Sequence, residues 1–538
     1  MIALLQAYLL ADPRRLMRSL FVLGFLVLQA IFVTMVLWPR RHAFVVGARE
    51  LGSDWRAAVR AEPAVARLAV IALTFVGFVV RAYYVTCPMR GDESETYIDY
   101  VRQSWWTALS LYSAPNNHVL NTLLEKLSIT ALGPTVWALR LPALLAGVAL
   151  IPAGYAFARA QFSTAAALVT AALLTASAPL IVYSVNGRGY TLLCLAFLLS
   201  VPIGAYALRT NNVAAWIALA VTNALGFFAV PVMVYPFGAT MIWFFIAAWR
   251  RREIMISIAV TSIATLVLVA DLYAPVAIHL GYRSVIHNNA IAPQPWAFFW
   301  TAMPSFLDQD YRDMTDGLPP IIIAALAIAI VVALIFNRRL SRWSIPLLVP
   351  SLLWSIALTL ASHRVPYTRI YIPVAIVALT TAAAGITGWS RVAVRWSSTG
   401  AVVGAIALLT AFVSSPAMAH SLEFVDASPI ADALRTQLRP GDGVITPWWT
   451  SDALHYYLER DGADIVPLNT PPWDSTDPPR LAPAMARRYI VITPRPGEQA
   501  LDSLLRVMGV DPTSFDPPSA PLRFSSSAVY FVTRSAPR

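Results

Sequence analysis

Asp92, Glu93, Glu95 and Asp99 crowd together in "MRGDESETYIDY" (89–100), directly after the apolar run "LAVIALTFVGFVV" (68–80). Carboxylates at that position are either a solvated helix end or a proton-accepting site held at a membrane surface. Other residues able to do chemistry recur at comparable positions. "SAPNNHVL" (113–120) offers Asn116, Asn117 and His118, and "YSVNGRGYTL" (183–192) sets Arg188 between two glycines beside Tyr190. "SHRVPYTRIYIP" (362–373) adds His363, Arg364, Arg369 and Tyr371. Together they supply what transfer of a sugar from a phosphate-linked donor needs. A carboxylate takes a proton, cations stabilise a departing phosphate, and aromatics frame a sugar. Each has a plainer reading as well: arginines as headgroup anchors, His118 as a satisfied polar residue, Trp105 and Trp106 as an interfacial belt, Asp271 as a helix-end partner.

The elements that must position these residues are membrane helices. The chain of 538 residues is 58% hydrophobic and 13% charged, with a mean hydropathy of +0.61, more apolar surface than a water-soluble fold can cover. Apolar runs of bilayer length are expected at 20–38, 67–86, 138–158, 164–184, 189–208, 213–230, 232–249, 254–274, 319–337, 344–361, 371–389 and 399–416, about twelve spans. The formal charge of +11 does not point to nucleic acid, because the arginines sit in short connections such as "WRRRE" (249–253) and "NRRLSRW" (337–343). The positive-inside rule puts those connections in the cytoplasm. It puts the long loops 87–137 and 275–318 outside, together with the turns at Arg188 and Arg364. Arg14, Arg15 and Arg18 precede the first run, which leaves the side of the N-terminus open.

After residue 417 the pattern changes. "GVIT" (443–446), "RRYIVITP" (487–494) and "SAVYFVTR" (527–534) read as strands, interleaved with helical stretches. The expected organisation is an extra span and basic cytoplasmic loop (1–66), a transmembrane region (67–416) and an extracytoplasmic α/β domain (417–538). Cys87 and Cys194 form no metal-ligand or redox spacing. Neither GxGxxG nor GxxxxGK[ST] occurs, and nucleotide sugars are cytoplasmic, so an outward-facing transfer site calls for a lipid-linked donor.

In these residues the sequence resembles the GT-C superfamily of membrane glycosyltransferases, in particular the branch of protein O-mannosyltransferases and the lipid A aminoarabinose transferase. Asp92-Glu93 in "RGDESETY" matches that branch's acidic pair in the first outer loop. "PNNHVLNTLLEKLSITALG" (115–133), "YSVNGRGY" (183–190) and "TRIYIPVAIVAL" (368–379) match later motifs. The turn reads Gly187-Arg188 where alanine is commoner. The resemblance implies an all-α polytopic membrane protein of GT-C type with a small C-terminal extracytoplasmic α/β domain. It also implies inverting transfer of a sugar from a polyprenyl-phosphate donor to a cell-envelope acceptor (glycan, lipid or protein) at the outer face of the plasma membrane. Asp92 would be the base and Glu93 its support. Arg188, Arg364 and Arg369 would bind the donor phosphate, and Asn117, His118, Tyr190 and Tyr371 would contact substrate. No cofactor is called for by these residues, and a divalent metal at an Asp/Glu/His site in the first loop stays open. The competing expectations are a twelve-helix secondary transporter and an inactive envelope protein that binds a lipid-linked sugar.

Overall fold

A computed structural model describes residues 12–32, 34–35, 38–286, 293–364, 367–388, 424–460, 462, 467–469, 486, 488–493, 498–508 and 511–535. Every expected apolar run within them is helical. The helices Ala64–Tyr84, Val136–Arg159, Tyr190–Thr210 and Arg252–Leu272 are long and apolar enough to cross a bilayer. Two bent pairs raise that number to at most six. Thr164–Ala176 turns by 59° into Ala178–Ser184, where Ser177 is extended and Pro179 denies the chain a backbone donor. Trp296–Thr315 turns by 100° into Pro320–Ile335. Val213–Ala229, Pro231–Ala247, Leu348–Ser362 and Ile372–Gly388 are apolar but shorter. The twelve expected runs therefore include four to six helices of spanning length among the described residues, and the run at 399–416 lies outside them.

The chain forms two compact units. The larger comprises residues 1–85, 104–128 and 139–417. Its core is a dense apolar cluster in which Phe157, Phe197, Trp243 and Phe244 are at most 1% exposed. Inside it Arg81 is fully buried, and its guanidinium donates to Ser184 Oγ (3.0 Å), Gly77 O (3.1 Å) and Leu174 O (3.4 Å). A lone arginine in an apolar run was the sequence signal for this tie, and it was not singled out.

The second unit comprises residues 86–103, 129–138 and 418–538. Its five-stranded sheet has the order β2-β1-β3-β5-β4, from β1 (Gly443–Thr446), β2 (Leu468–Asn469), β3 (Arg488–Thr493), β4 (Leu522–Arg523) and β5 (Ala528–Thr533). β1 runs parallel to β2 and β3, while β3 and β5 pair antiparallel from Arg488↔Thr533 to Thr493↔Ala528. The three sequence-predicted strands are continuous apolar runs buried at nearly every position, and Ile445, Val491, Tyr530 and Val532 pack against Leu501 and Leu505 of the Glu498–Val507 helix. Asp426 fastens the hairpin that precedes β5: it accepts from Ser526 N and Oγ (2.8 Å each) and from Ser527 Oγ (2.7 Å). Burial pushes this carboxyl upward, but the serine hydrogen bonds outweigh it and hold it below the usual carboxylate range.

Candidate active site

In the larger unit the site is built around His118. It immediately precedes the Val119–Leu132 helix and is 1% exposed. Asn117, fully buried beside it, donates to Ala108 O (3.1 Å) and Leu111 O (2.6 Å), and its Oδ1 accepts from Thr122 (2.9 Å). These bonds commit Asn117 to holding the loop in shape, so it positions His118. Gly189 N–H donates to His118 Nδ1 at 2.9 Å. A Cβ at residue 189 would stand 2.7 Å from Ala229 O, so only glycine brings the turn close enough for that bond.

The bond has a chemical consequence. Burial and the nearby charge of Arg369 push His118 down to about 3, so the ring is neutral. A neutral imidazole has one acceptor nitrogen, and Gly189 occupies it, so the ring proton sits on Nε2. Nε2 lies 3.4 Å from Arg188 Nη2. Two N–H donors therefore converge, an arrangement that an anionic oxygen between them satisfies. Arg188 is 3% exposed, its guanidinium lies 5.5 Å from the Tyr190 ring centroid, and the His118 and Tyr190 rings meet edge to face at 5.0 Å.

The structure thus gathers His118, Arg188 and Tyr190 and sets Arg369 within electrostatic reach. The Arg369 turn is held by two acids that the sequence reading did not single out. Thr368 Oγ1 lies 2.8 Å from Asp310 Oδ1 and 2.7 Å from Asp313 Oδ2, both on the Trp296–Thr315 helix. Their i,i+3 spacing on one helix face was the available signal. Arg364 donates to Ile286 O (2.7 Å), and the Tyr371 hydroxyl lies 3.1 Å from Thr359 Oγ1, so both are tied to their own surroundings.

Because the folded state holds His118 neutral while the unfolded chain titrates near 6.5, the unfolded state binds more protons between about 3 and 6.5. Stability of this unit therefore gains from His118 as pH rises through that window, and its ring carbon NMR shifts should not titrate between pH 4 and 8. A midpoint near 6.5 would place the ring in solvent.

In the second unit, Asp92 and Glu93 stand in the first turn of the Gly91–Thr96 helix, where the helix dipole complements negative charge. Glu93, 3% exposed, accepts from Arg90 N–H at 2.9 Å and closes the N-terminus as a capping box. Asp92 is half-buried, and its carbonyl accepts from Thr96 Oγ1 (2.9 Å). The Trp448–Arg460 helix clamps this loop. Tyr457 OH accepts from Met89 N–H (2.9 Å), Tyr456 meets Tyr97 edge to face at 5.0 Å, and Glu459 pairs with Arg102. Within the same helix Asp452 is pushed up to about 6 by burial and by the charge of Asp99.

Since that folded value exceeds the unfolded 3.8, stability from this contact is full at low pH and is lost as pH rises through about 6. Asp452→Asn should stabilise the protein by about 1–3 kcal/mol at pH 7 and have little effect at pH 4. Thermal unfolding at the two pH values measures it, and an equal shift at both would rule out the titration.

Among the described residues no group of three or more His, Cys, Asp or Glu is arranged to hold a metal ion.

Residues 121–279 match the family model described as dolichyl-phosphate-mannose-protein mannosyltransferase. The match includes Arg188 and Tyr190, and it begins after Asp92 and His118 and ends before Arg369. No curated protein sequence matches the chain. Among solved structures, ArnT from Cupriavidus metallidurans bound to undecaprenyl phosphate superposes with a TM-score of 0.59 at 13% identity, covering 86% of this chain and 97% of that one. The apo form of the same protein gives 0.57 at 14% identity, over 87% and 98%. The chain therefore has the fold of ArnT and, over residues 121–279, matches the mannosyltransferase family model, in line with the expected resemblance to GT-C glycosyltransferases.

Proposed function

We propose that this protein is a GT-C glycosyltransferase that moves a sugar from a polyprenyl-phosphate donor to a cell-envelope acceptor at the outer face of the plasma membrane, with inversion. The observation that carries this reading is the pair of N–H donors, His118 Nε2 and Arg188 Nη2, meeting at 3.4 Å beside the charge of Arg369. A phosphate oxygen bridges such donors, and it is stabilised most strongly as the leaving group gains charge. Arg188 and Arg369 are the donor-phosphate residues, whereas Arg364 is engaged by Ile286 O. Tyr190 and Tyr371 contribute the aromatic surface for the sugar.

An apolar cleft of about 230 Å³ supports a lipid donor. It is lined by Ile372, Ile376 and Leu379 on one face of the Ile372–Gly388 helix, which begins three residues after Arg369, and by Met314, Ile323 and Ile330. In the reaction the acceptor oxygen forms a bond to the anomeric carbon as the bond from that carbon to the phosphate oxygen breaks. The acceptor proton passes to Asp92, and polyprenyl phosphate leaves. An ordinary Asp pKa of about 3.9 makes a weak base, so phosphate stabilisation leads and proton transfer follows late.

The test is to incubate the purified protein with a panel of polyprenyl-phosphate sugars and envelope acceptors and to detect released polyprenyl phosphate together with glycosylated product. Uptake of a free sugar into proteoliposomes, with no product formed, would favour the carrier instead.

A further inference from the structure

A second cavity, of about 740 Å³, opens at the opposite end of the larger unit. The Tyr190–Thr210 helix starts beside Arg188 and ends at this cavity with Arg209, and its 21 residues span about 30 Å at 1.5 Å per residue. Arg159 closes the Val136–Arg159 helix at the same level. This is the arginine-rich end, which the charge distribution assigns to the cytoplasm.

One wall of the cavity is the Arg41–Ala61 helix, which contributes Leu51, Asp54, Trp55 and Ala58. That helix is fixed in place. Asn212 Nδ2 donates to Gly47 O (3.1 Å) and Glu50 Oε2 (3.2 Å), and the Tyr206 hydroxyl donates to Asp54 Oδ2 (2.9 Å).

The lining holds four guanidinium groups, Arg159, Arg209, Arg251 and Arg342, against two carboxylates, Asp54 and Glu62. Both carboxylates are engaged: Glu62 accepts from Tyr155 (2.7 Å) and pairs with Arg159 (2.7 Å), and Asp54 accepts from Tyr206. Arg251 donates to Leu208 O (2.6 Å). Arg209 rests against the Tyr206 ring, 5.5 Å from its centroid, and the exposed Arg342 side chain makes no hydrogen bond or ion pair among the described residues. The rest of the lining is largely apolar, including Trp55, Pro202 and Leu208. Surplus positive charge over an apolar floor, at headgroup depth, matches the two ends of a lipid with an anionic head.

We propose that this cavity binds an anionic glycerophospholipid, its phosphate held by Arg209 and Arg342 and its proximal acyl chains lying along Trp55 and Ala58. The site is separate from the proposed transfer chemistry and does not depend on it.

Native mass spectrometry of the detergent-purified protein titrated with phosphatidylglycerol or phosphatidylcholine tests it. The wild type should retain phosphatidylglycerol at least tenfold more tightly than phosphatidylcholine, and the variant R209Q/R342Q should lose that preference. Ala58→Trp, on the exposed face of its helix, keeps the charges but intrudes on the apolar wall along which the acyl chains would lie, and it should weaken retention as well. Unchanged retention in either variant overturns the proposal. Displacement of the lipid by excess inorganic phosphate alone would also overturn it, by showing that the site reads a free anion.

Discussion

Asp92→Asn is expected to reduce sugar transfer from a polyprenyl-phosphate donor by roughly 10³-fold, the scale of a lost general base, while leaving folding intact. The substitution keeps side-chain size and leaves in place the backbone carbonyl that accepts from Thr96, so the Gly91–Thr96 helix should persist. Glu93 gives the contrast. Its buried carboxylate closes the capping box through Arg90 N–H, and Glu93→Ala should cost about 1 kcal/mol of stability and lower activity through a displaced loop. Activity and thermal unfolding measured on both variants separate chemistry from positioning. A fully active Asp92→Asn would remove the base from the proposed reaction. A large loss of stability in that variant would reassign Asp92 as a structural residue.

Arg188→Ala should lower transfer by at least about 10²-fold, with Arg188→Lys recovering part of the loss. A guanidinium places two parallel donors on a phosphate, whereas an ammonium acts as a point charge, so the two variants must differ if phosphate is the ligand. The buried setting sharpens the expectation. At 3% exposure, flanked by the neutral His118 and the Tyr190 ring, Arg188 acts where water screens little. Product formation at saturating and subsaturating donor measures the effect. Equal losses for alanine and lysine would point to a role in holding the turn.

Much of the fold was legible in the sequence because its cues are local. Bilayer-length apolar runs become helices wherever they are described, since a backbone in lipid must satisfy its own hydrogen bonds. The short apolar, β-branched and aromatic runs in "GVIT", "RRYIVITP" and "SAVYFVTR" became β1, β3 and β5 because such residues fit a buried pleated sheet. Residue types at the loop motifs likewise singled out His118, Arg188, Tyr190 and Arg369, but only among a longer group with Asp92, Glu93, Asn117, Arg364 and Tyr371. The sequence could not specify where a span breaks, and Pro179 turned an expected single run into two helices at 59°.

The tertiary structure alone decided which motif residues meet one another across the fold and which are bound to their own loop. Asn117 and His118 are adjacent in sequence, yet one is bound to its own loop and the other meets Gly189 and Arg188 some 70 positions away. Asp310 and Asp313 became the anchors of the Arg369 turn, and Tyr457 became the partner of Met89, 368 positions earlier. Such pairings depend on how helices cross and how loops close, which residue type and periodicity do not encode. The same reason accounts for the cavity under the Arg41–Ala61 helix: arginine counting located its end of the bundle, and only the fold placed Arg209 and Arg342 around one space.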